Sequence, residues 1–458
     1  MEGHLAGTGD CPVTRVLLGT FMHTPVLGQV EVLEDALIDL SEEGAIVRVR
    51  KPGDDGYAET LKGDIERMPK GAYVLPGFCD LHVHAPQWPQ LGKALDVPLE
   101  VWLQQYTFPL EARYADVTFA ERAYSSLVDG LLANGTTTAL YFATQHQAAT
   151  RRLAEICLEK GQRALIGKVV MDNAEQCPSF YCETTEDGLR GTADFIAFVN
   201  SHAGNRAGRV KPVITPRFIP SCTDEALKGL GALAKSCGCH VQTHCSESDW
   251  QHAYVLDRHG VSDTESLDRF GLLTRHTVLA HANFISGADM DTIQARGAGV
   301  AHCPLSNHYF SNAVFPLRRA LEKGVRVGLG TDISGGPSAS LFDNIRWAVA
   351  SSRALDDGVD SALPYERRGV RNSAVDWKTA FYLATKGGAD VLDLPVGAFE
   401  PGRAFDAILI DPQAKGGTVT VFDGLDTPED VFQKIVYTAS KANIAKVWIS
   451  GRTVGGEA

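Results

Sequence analysis

From residue 72 onward the sequence repeats one unit: a short apolar or β-branched run, a polar turn, then a stretch with helical spacing. Eight such runs fall at 72–84, 136–143, 163–172, 209–218, 240–247, 277–285, 299–307 and 326–333. Two intervening helices carry their own boundary signals. The pattern at 119–133 closes on Asn134-Gly135, and that at 224–236 opens on a Thr/Asp cap and ends before Cys237-Gly238. Alternating strands and helices imply a parallel sheet, and eight repeats imply an α/β fold of the (β/α)8 TIM-barrel type. An open doubly wound sheet is the alternative. It would carry a glycine-rich phosphate turn after its first strand, where this chain has His82-Val83-His84.

Both ends lie outside this rhythm. Residues 1–75 hold short strand-like runs with turns such as Lys51-Pro52-Gly53-Asp54-Asp55-Gly56, and residues 395–458 hold the strand-like runs 405–412 and 446–454. They are expected to pair into a small β-sandwich domain built from both termini, flanking a barrel at 76–394. A chain of 458 residues with 44% hydrophobic content has material for both cores.

Charge narrows the partners. The 56 acidic against 43 basic residues, a net charge of −13, argue against nucleic acid or an anionic membrane surface, which need concentrated Lys and Arg. Residues 1–10 show no basic flank before an apolar run, so no secretory signal is expected, and no apolar stretch is long enough to cross a bilayer. The terminal Gly456-Glu457-Ala458 is no lipidation signal. Ten cysteines at irregular spacing read as free buried thiols in a reducing cytoplasm, with Cys237 and Cys239 as core-facing residues beside a strand.

The chemistry collects at the ends of the strand runs. His82 and His84 end the first, Arg217 the fourth and His244 the fifth, with Glu247 three residues on; His281 lies on the sixth and Asp332 ends the eighth. In a closed barrel these ends meet at one rim, where active sites are built. Two histidines two apart on a strand leave the same face, and neutral imidazoles there chelate a divalent cation such as zinc when a third His and a carboxylate join them. Taken singly, each has a blander reading: His244 and His281 as hydrogen-bonded core histidines, Asp332 as a helix cap, Glu247 as a solvated acid, Arg217 in a rim salt bridge and Phe218 in core packing. Five metal-type residues from four different strand runs make coincidence a poor account. His302 reads as structural, and His202 and His259 as loop histidines without partners.

The run Pro76-Gly77-Phe78-Cys79-Asp80-Leu81-His82-Val83-His84 resembles the opening motif of the amidohydrolase superfamily, and Thr243-His244, Ala280-His281 and Gly330-Thr331-Asp332 resemble its later metal and water-binding positions. Finer matches resemble its guanine deaminase branch. They are His84-Ala85-Pro86-Gln87, Tyr106-Thr107-Phe108-Pro109-Leu110-Glu111, Asn134-Gly135-Thr136-Thr137-Thr138, Gly167-Lys168-Val169-Val170-Met171-Asp172, Thr215-Pro216-Arg217-Phe218, Ser246-Glu247 and Ala301-His302-Cys303-Pro304-Leu305-Ser306-Asn307. The resemblance runs from about residue 74 to the C-terminus. It departs from the family pattern at Asn312 and at Ala282-Asn283, neither of which is a proposed ligand.

The resemblance implies one zinc ion per subunit held by His82, His84, His244 and Asp332. It implies Glu247 as proton shuttle, His281 orienting the attacking water, Asp332 helping to take its proton, and Gln87, Arg217, Phe218 and His244 contacting a purine. It further implies hydrolysis of guanine to xanthine and ammonia by a homodimer. The rival readings are an amidohydrolase acting on a triazine, pterin or modified purine, and a scaffold that kept the barrel without catalysis.

Overall fold

The computed structural model describes residues 12–311 and 313–455, so Asn312 and the sequence readings at 1–10 and 456–458 lie outside the described residues. The eight barrel strands are β1 Phe78–His84, β2 Thr136–Phe142, β3 Arg163–Val170, β4 Val210–Pro216, β5 His240–Cys245, β6 Thr277–His281, β7 Gly299–His302 and β8 Arg326–Leu329. Each pairs in parallel with the next, in unbroken sequence order from β1 to β8. The two ends of this sheet meet just beyond β8. There Asp332 N–H donates to His82 O at 2.8 Å, and His84 N–H donates to Ile333 O at 3.0 Å. The seam of the barrel is therefore closed by the segments that carry three of the expected ligands.

Local signals explain the helices between strands. Asp116 caps Val117–Ala133 by accepting from the N–H groups of Thr118 and Phe119, and Thr223 caps Asp224–Cys237 through Ala226 N–H. The barrel is filled, not hollow: Cys79, Leu81, Leu140, Leu165, Val213, Val278 and Ala301, from six strands, share a buried cluster with Val391 and Leu392.

Both termini enter one mixed sheet of eight strands. Its path runs Arg452–Gly455, Ile444–Ile449, Ala407–Ile410, Tyr73–Pro76, Val13–Val26, Gln29–Ser41 and Ile46–Arg50, with Glu66–Arg67 also pairing on Val13–Val26. Chain order alone hides one boundary. The run 72–84 is two strands: Tyr73–Pro76 pairs with Ala407–Ile410 in the terminal sheet, and Phe78–His84 opens the barrel. Gly77 is the joint, its N–H donating to Asp406 O at 2.9 Å, and a Cβ there would meet the Thr137 side chain at 2.3 Å. Asp406 fastens the two layers, its carboxylate accepting from Arg163 at 3.0 and 3.2 Å and from Ser450 N–H at 2.7 Å.

Three finer expectations are corrected. The C-terminal segment also contains a helix, Pro428–Thr438, closed at its start by a Thr427/Asp430 capping box. Cys237 is exposed and Cys239 half-buried, because Gly238 ends the preceding helix at the surface in a left-handed turn (φ 65°). His259 has partners, Ser266 at 3.0 Å and Asp224 at 3.2 Å, because it sits at the end of the helix Asp249–His259. The nine cysteines among the described residues are free, and none of the described helices is long and apolar enough to cross a membrane.

Candidate active site

The nine residues expected to hold a metal, move protons or contact substrate converge at the C-terminal rim of the barrel: His82, His84, Gln87, Arg217, Phe218, His244, Glu247, His281 and Asp332. His82 and His84 leave one face of β1, and His244 reaches them from β5 across the barrel. His84 Nε2 lies 3.0 Å from His244 Nε2, while Asp332 Oδ1 lies 3.2 Å from His82 Nε2 and 3.5 Å from His84 Nε2. Close approach of the strand ends requires Gly330, where a Cβ would stand 2.8 Å from His82 Cβ. His281, at the end of β6, points its Nε2 at Glu247 Oε1 (3.6 Å) and Asp332 Oδ2 (3.8 Å). Ser246, His281 and Asp332 adopt left-handed backbone conformations with φ of 44°, 67° and 50°. L-residues held there store local strain, which concentrates at functional sites.

Hydrogen bonds assign the imidazole tautomers. His244 Nδ1 donates to Arg217 O at 2.6 Å, and His281 Nδ1 donates to Asn307 Oδ1 at 2.9 Å. Each Nε2 is left as a lone-pair donor facing the cluster. Burial pushes all four histidines below the ordinary imidazole range, and the first three well below it, so they stand neutral. Burial pushes the carboxyls of both Asp332 and Glu247 upward, Glu247 to about 8, with Asp332's charge adding to the rise at Glu247.

The donor set suits a cation. His82, His84 and His244 offer nitrogens within 4.8 Å of one another, as do the ligand atoms of His82, His281 and Asp332. The buried Nε2 atoms of His82 and His281 have no hydrogen-bond partner. Tetrahedral zinc with bonds of about 2.0–2.1 Å sets ligand atoms about 3.3 Å apart, close to the 3.0–3.5 Å seen among His82, His84, His244 and Asp332.

Beside this cluster lies a cleft lined on its polar side by His84, Gln87, Arg217, His244, Glu247 and Asp332. Leu99, Trp102, Leu103, Phe218 and Phe310 supply its apolar walls. Trp102 and Phe310 touch across it with ring centroids 4.9 Å apart. The segment 96–114 contributes Leu99, Trp102 and Leu103, while its Tyr106 and Phe108 do not line the cleft. His302 is buried against Phe315, outside the cleft.

Two polar residues escaped assignment in the sequence. Asn307 holds His281 and accepts from Asn283 as well. Glu111 is fully buried under the cleft and binds both Arg217 and Gln87. Both occur in family-like runs, yet only the folded chain shows what they touch.

The model of the amidohydrolase family matches residues 73–454. The chain belongs to the amidohydrolase family. This amidohydrolase is 35% identical to the guanine deaminase of Dictyostelium discoideum, over 96% of this chain and 98% of that one. It is 36% identical to the guanine deaminase of Homo sapiens over 97% of each chain. Among solved structures, guanine deaminase from C. acetobutylicum with bound guanine in the active site superposes with a TM-score of 0.86 at 30% identity, covering 96% of this chain and 99% of that one. The family is metal-dependent, in keeping with the His-rich cluster of this amidohydrolase.

Proposed function

We propose that this amidohydrolase hydrolyses guanine to xanthine and ammonia, with zinc, one ion per chain, as its resident metal. The observation that carries the reading is one cleft that joins a cation-type donor cluster to a polar edge of Gln87 and Arg217, with Phe218 as an aromatic wall. Full-length similarity to guanine deaminases supports the same substrate. His82, His84, His244 and Asp332 would hold the ion. When bound, zinc acts as a Lewis acid that lowers the pKa of water and supplies a nucleophile near neutral pH.

The remaining work falls to side chains. Asp332 accepts a proton from the attacking water, and the unprotonated Nε2 of His281, fixed by Asn307, orients that water. Glu247 gives a proton to a ring nitrogen as the C–O bond forms, takes up the proton of the added hydroxyl, and delivers it to the departing amine as the C–N bond breaks; the proton held by Asp332 then returns to Glu247 for the next turnover. Its burial suits this role, because a carboxyl pushed up to about 8 holds a proton near neutrality. Arg217 donates to the ring carbonyl with its planar fork, and Phe218 packs on the ring. The free thiols fit a reducing cytoplasm, and the family resemblance points to a homodimer.

The test is metal-replete protein with guanine, following xanthine and ammonia, beside Glu247→Gln. Stoichiometric ammonia from the wild type, reduced at least about 100-fold in Glu247→Gln at unchanged metal content, is expected. No turnover by metal-loaded wild type would move the substrate to another amino- or halo-substituted ring.

A further inference from the structure

The polar edge of the cleft is organised by a carboxylate that takes no part in the proposed proton transfers. Glu111 lies on the short helix Phe108–Ala112, fully buried. Three donors converge on its two oxygens. Oε1 accepts from Gln87 Nε2 at 3.0 Å and Arg217 Nη2 at 3.1 Å, while Oε2 accepts from Arg217 Nη1 at 2.6 Å. On the far side of Gln87, its Oε1 accepts from Ser334 N–H at 3.1 Å. The amide of Gln87 is thus held at both ends by partners of opposite polarity. Turning it over would set its NH2 against the Ser334 N–H, donor against donor.

The consequence is a cleft edge that offers only donors. Gln87 keeps one amide hydrogen, and Arg217, with five N–H groups and no acceptor, keeps those not spent on Glu111. The charge of Arg217 is also matched, because its side chain is 3% exposed and that of Glu111 0%. We propose that Glu111 is the positioning residue that fixes the hydrogen-bond polarity of this edge, and thereby selects rings that present acceptors to it over rings that present amino groups. The proposal rests on the guanine-deaminase reading for its substrate, and it deepens that reading by naming what enforces the choice. A neutral amide at 111 has a single acceptor oxygen for three converging donors. At least one donor then loses its partner, and both the Gln87 amide and the Arg217 fork are freed to turn.

Glu111→Gln is compared with wild type, Arg217→Met and the double variant Glu111→Gln/Arg217→Met, all metal-loaded. Bound metal and thermal midpoint are measured for each. Guanine kinetics are paired with calorimetric titration of xanthine, which keeps the ring carbonyl of guanine, and 2,6-diaminopurine, which replaces that carbonyl with an amino group. In Glu111→Gln the guanine KM is expected to rise about tenfold or more with a smaller change in kcat, as for a lost charge-assisted hydrogen bond. The preference for xanthine over 2,6-diaminopurine should narrow by a similar factor at unchanged metal content. Because Glu111 acts in part through Arg217, the double variant should raise KM by clearly less than the product of the two single effects.

The proposal is overturned if Glu111→Gln loses kcat in step with folded or metal-loaded fraction while KM and ring preference stay put. Additive effects in the double variant overturn it equally. Failure of the wild type to turn over guanine would remove the substrate reading, while the ring preference measured by calorimetry would still decide the role of Glu111. Should Glu111→Gln not fold, Glu111→Asp keeps the charge but withdraws the carboxylate by one methylene, and the same narrowing of preference is expected.

Discussion

Acidification should weaken this fold through a histidine far from the chemistry. His240 opens β5, so it lies at the opposite end of the barrel from His244 and the cleft. Its Nε2 is 3.1 Å from Leu392 O, and its ring lies 5.2 Å from that of His276. Burial, then the neighbouring His276 and Lys211, hold its pKa down from 6.5 to about 4. Around it stand Arg275, paired with Asp393, and Asp393 facing His276 at 3.2 Å.

The direction follows from which state takes the proton first. As pH falls below 6.5 the unfolded chain protonates this residue while the folded chain does not until about 4, so stability is lost across that window. The difference of 6.5 − 4, or about 2.5 units, caps the loss at about 3.4 kcal/mol, and at about pH 5 the linkage relation gives about 2 kcal/mol. Urea unfolding of wild type and His240→Gln at about pH 7.5 and pH 5 isolates this contribution, because every other group titrates in both proteins. The wild type should lose about 2 kcal/mol more than the variant between the two conditions. An equal loss, or a larger one in the variant, would refute the reasoning.

Removing the metal with a chelator should abolish turnover and lower the apparent unfolding free energy, and zinc should restore both; at a thousandfold excess over Kd the stabilisation is about 4 kcal/mol. Asn307→Leu frees the His281 ring to rotate and should reduce turnover about 10–100-fold with folding intact by circular dichroism. Asp406→Ala strands Arg163 without its partner between sheet and barrel, and should cost about 3–5 kcal/mol in denaturant titrations. Little change there would show that Ser450 and solvent satisfy Arg163 unaided.

The rim cluster was legible because two regularities act together. Strand period 2 puts His82 and His84 on one face, and barrel closure brings the ends of β5, β6 and β8 to the same rim whatever their sequence separation. Glu111 and Asn307 were not legible as site residues, because each sits on a helical turn whose orientation over the barrel is set by packing. Nothing in Phe108-Pro109-Leu110-Glu111 says that its carboxylate turns under Arg217. The split of the run 72–84 was hidden for a similar reason. Both halves are apolar, and only pairing with Ala407–Ile410 assigns the first to the other sheet. The Pro428–Thr438 helix carried a readable capping box, overridden in the reading by strand-like runs on either side.

The barrel seam gives the site a chronology. His82 leaves the ribosome about 250 residues before Asp332, since 332 − 82 is 250. At roughly 5–20 residues per second that interval is about 12–50 s. Throughout it the first strand has no last strand to pair with, because Asp332 N–H and Ile333 O supply the closing bonds to β1. A nascent chain can gather imidazoles early, but the carboxylate that completes the set arrives only with the segment that shuts the cylinder. On the proposed ligand set, the donor cluster is complete only when the barrel closes, and a chain truncated before residue 332 would be both unsealed and short of Asp332.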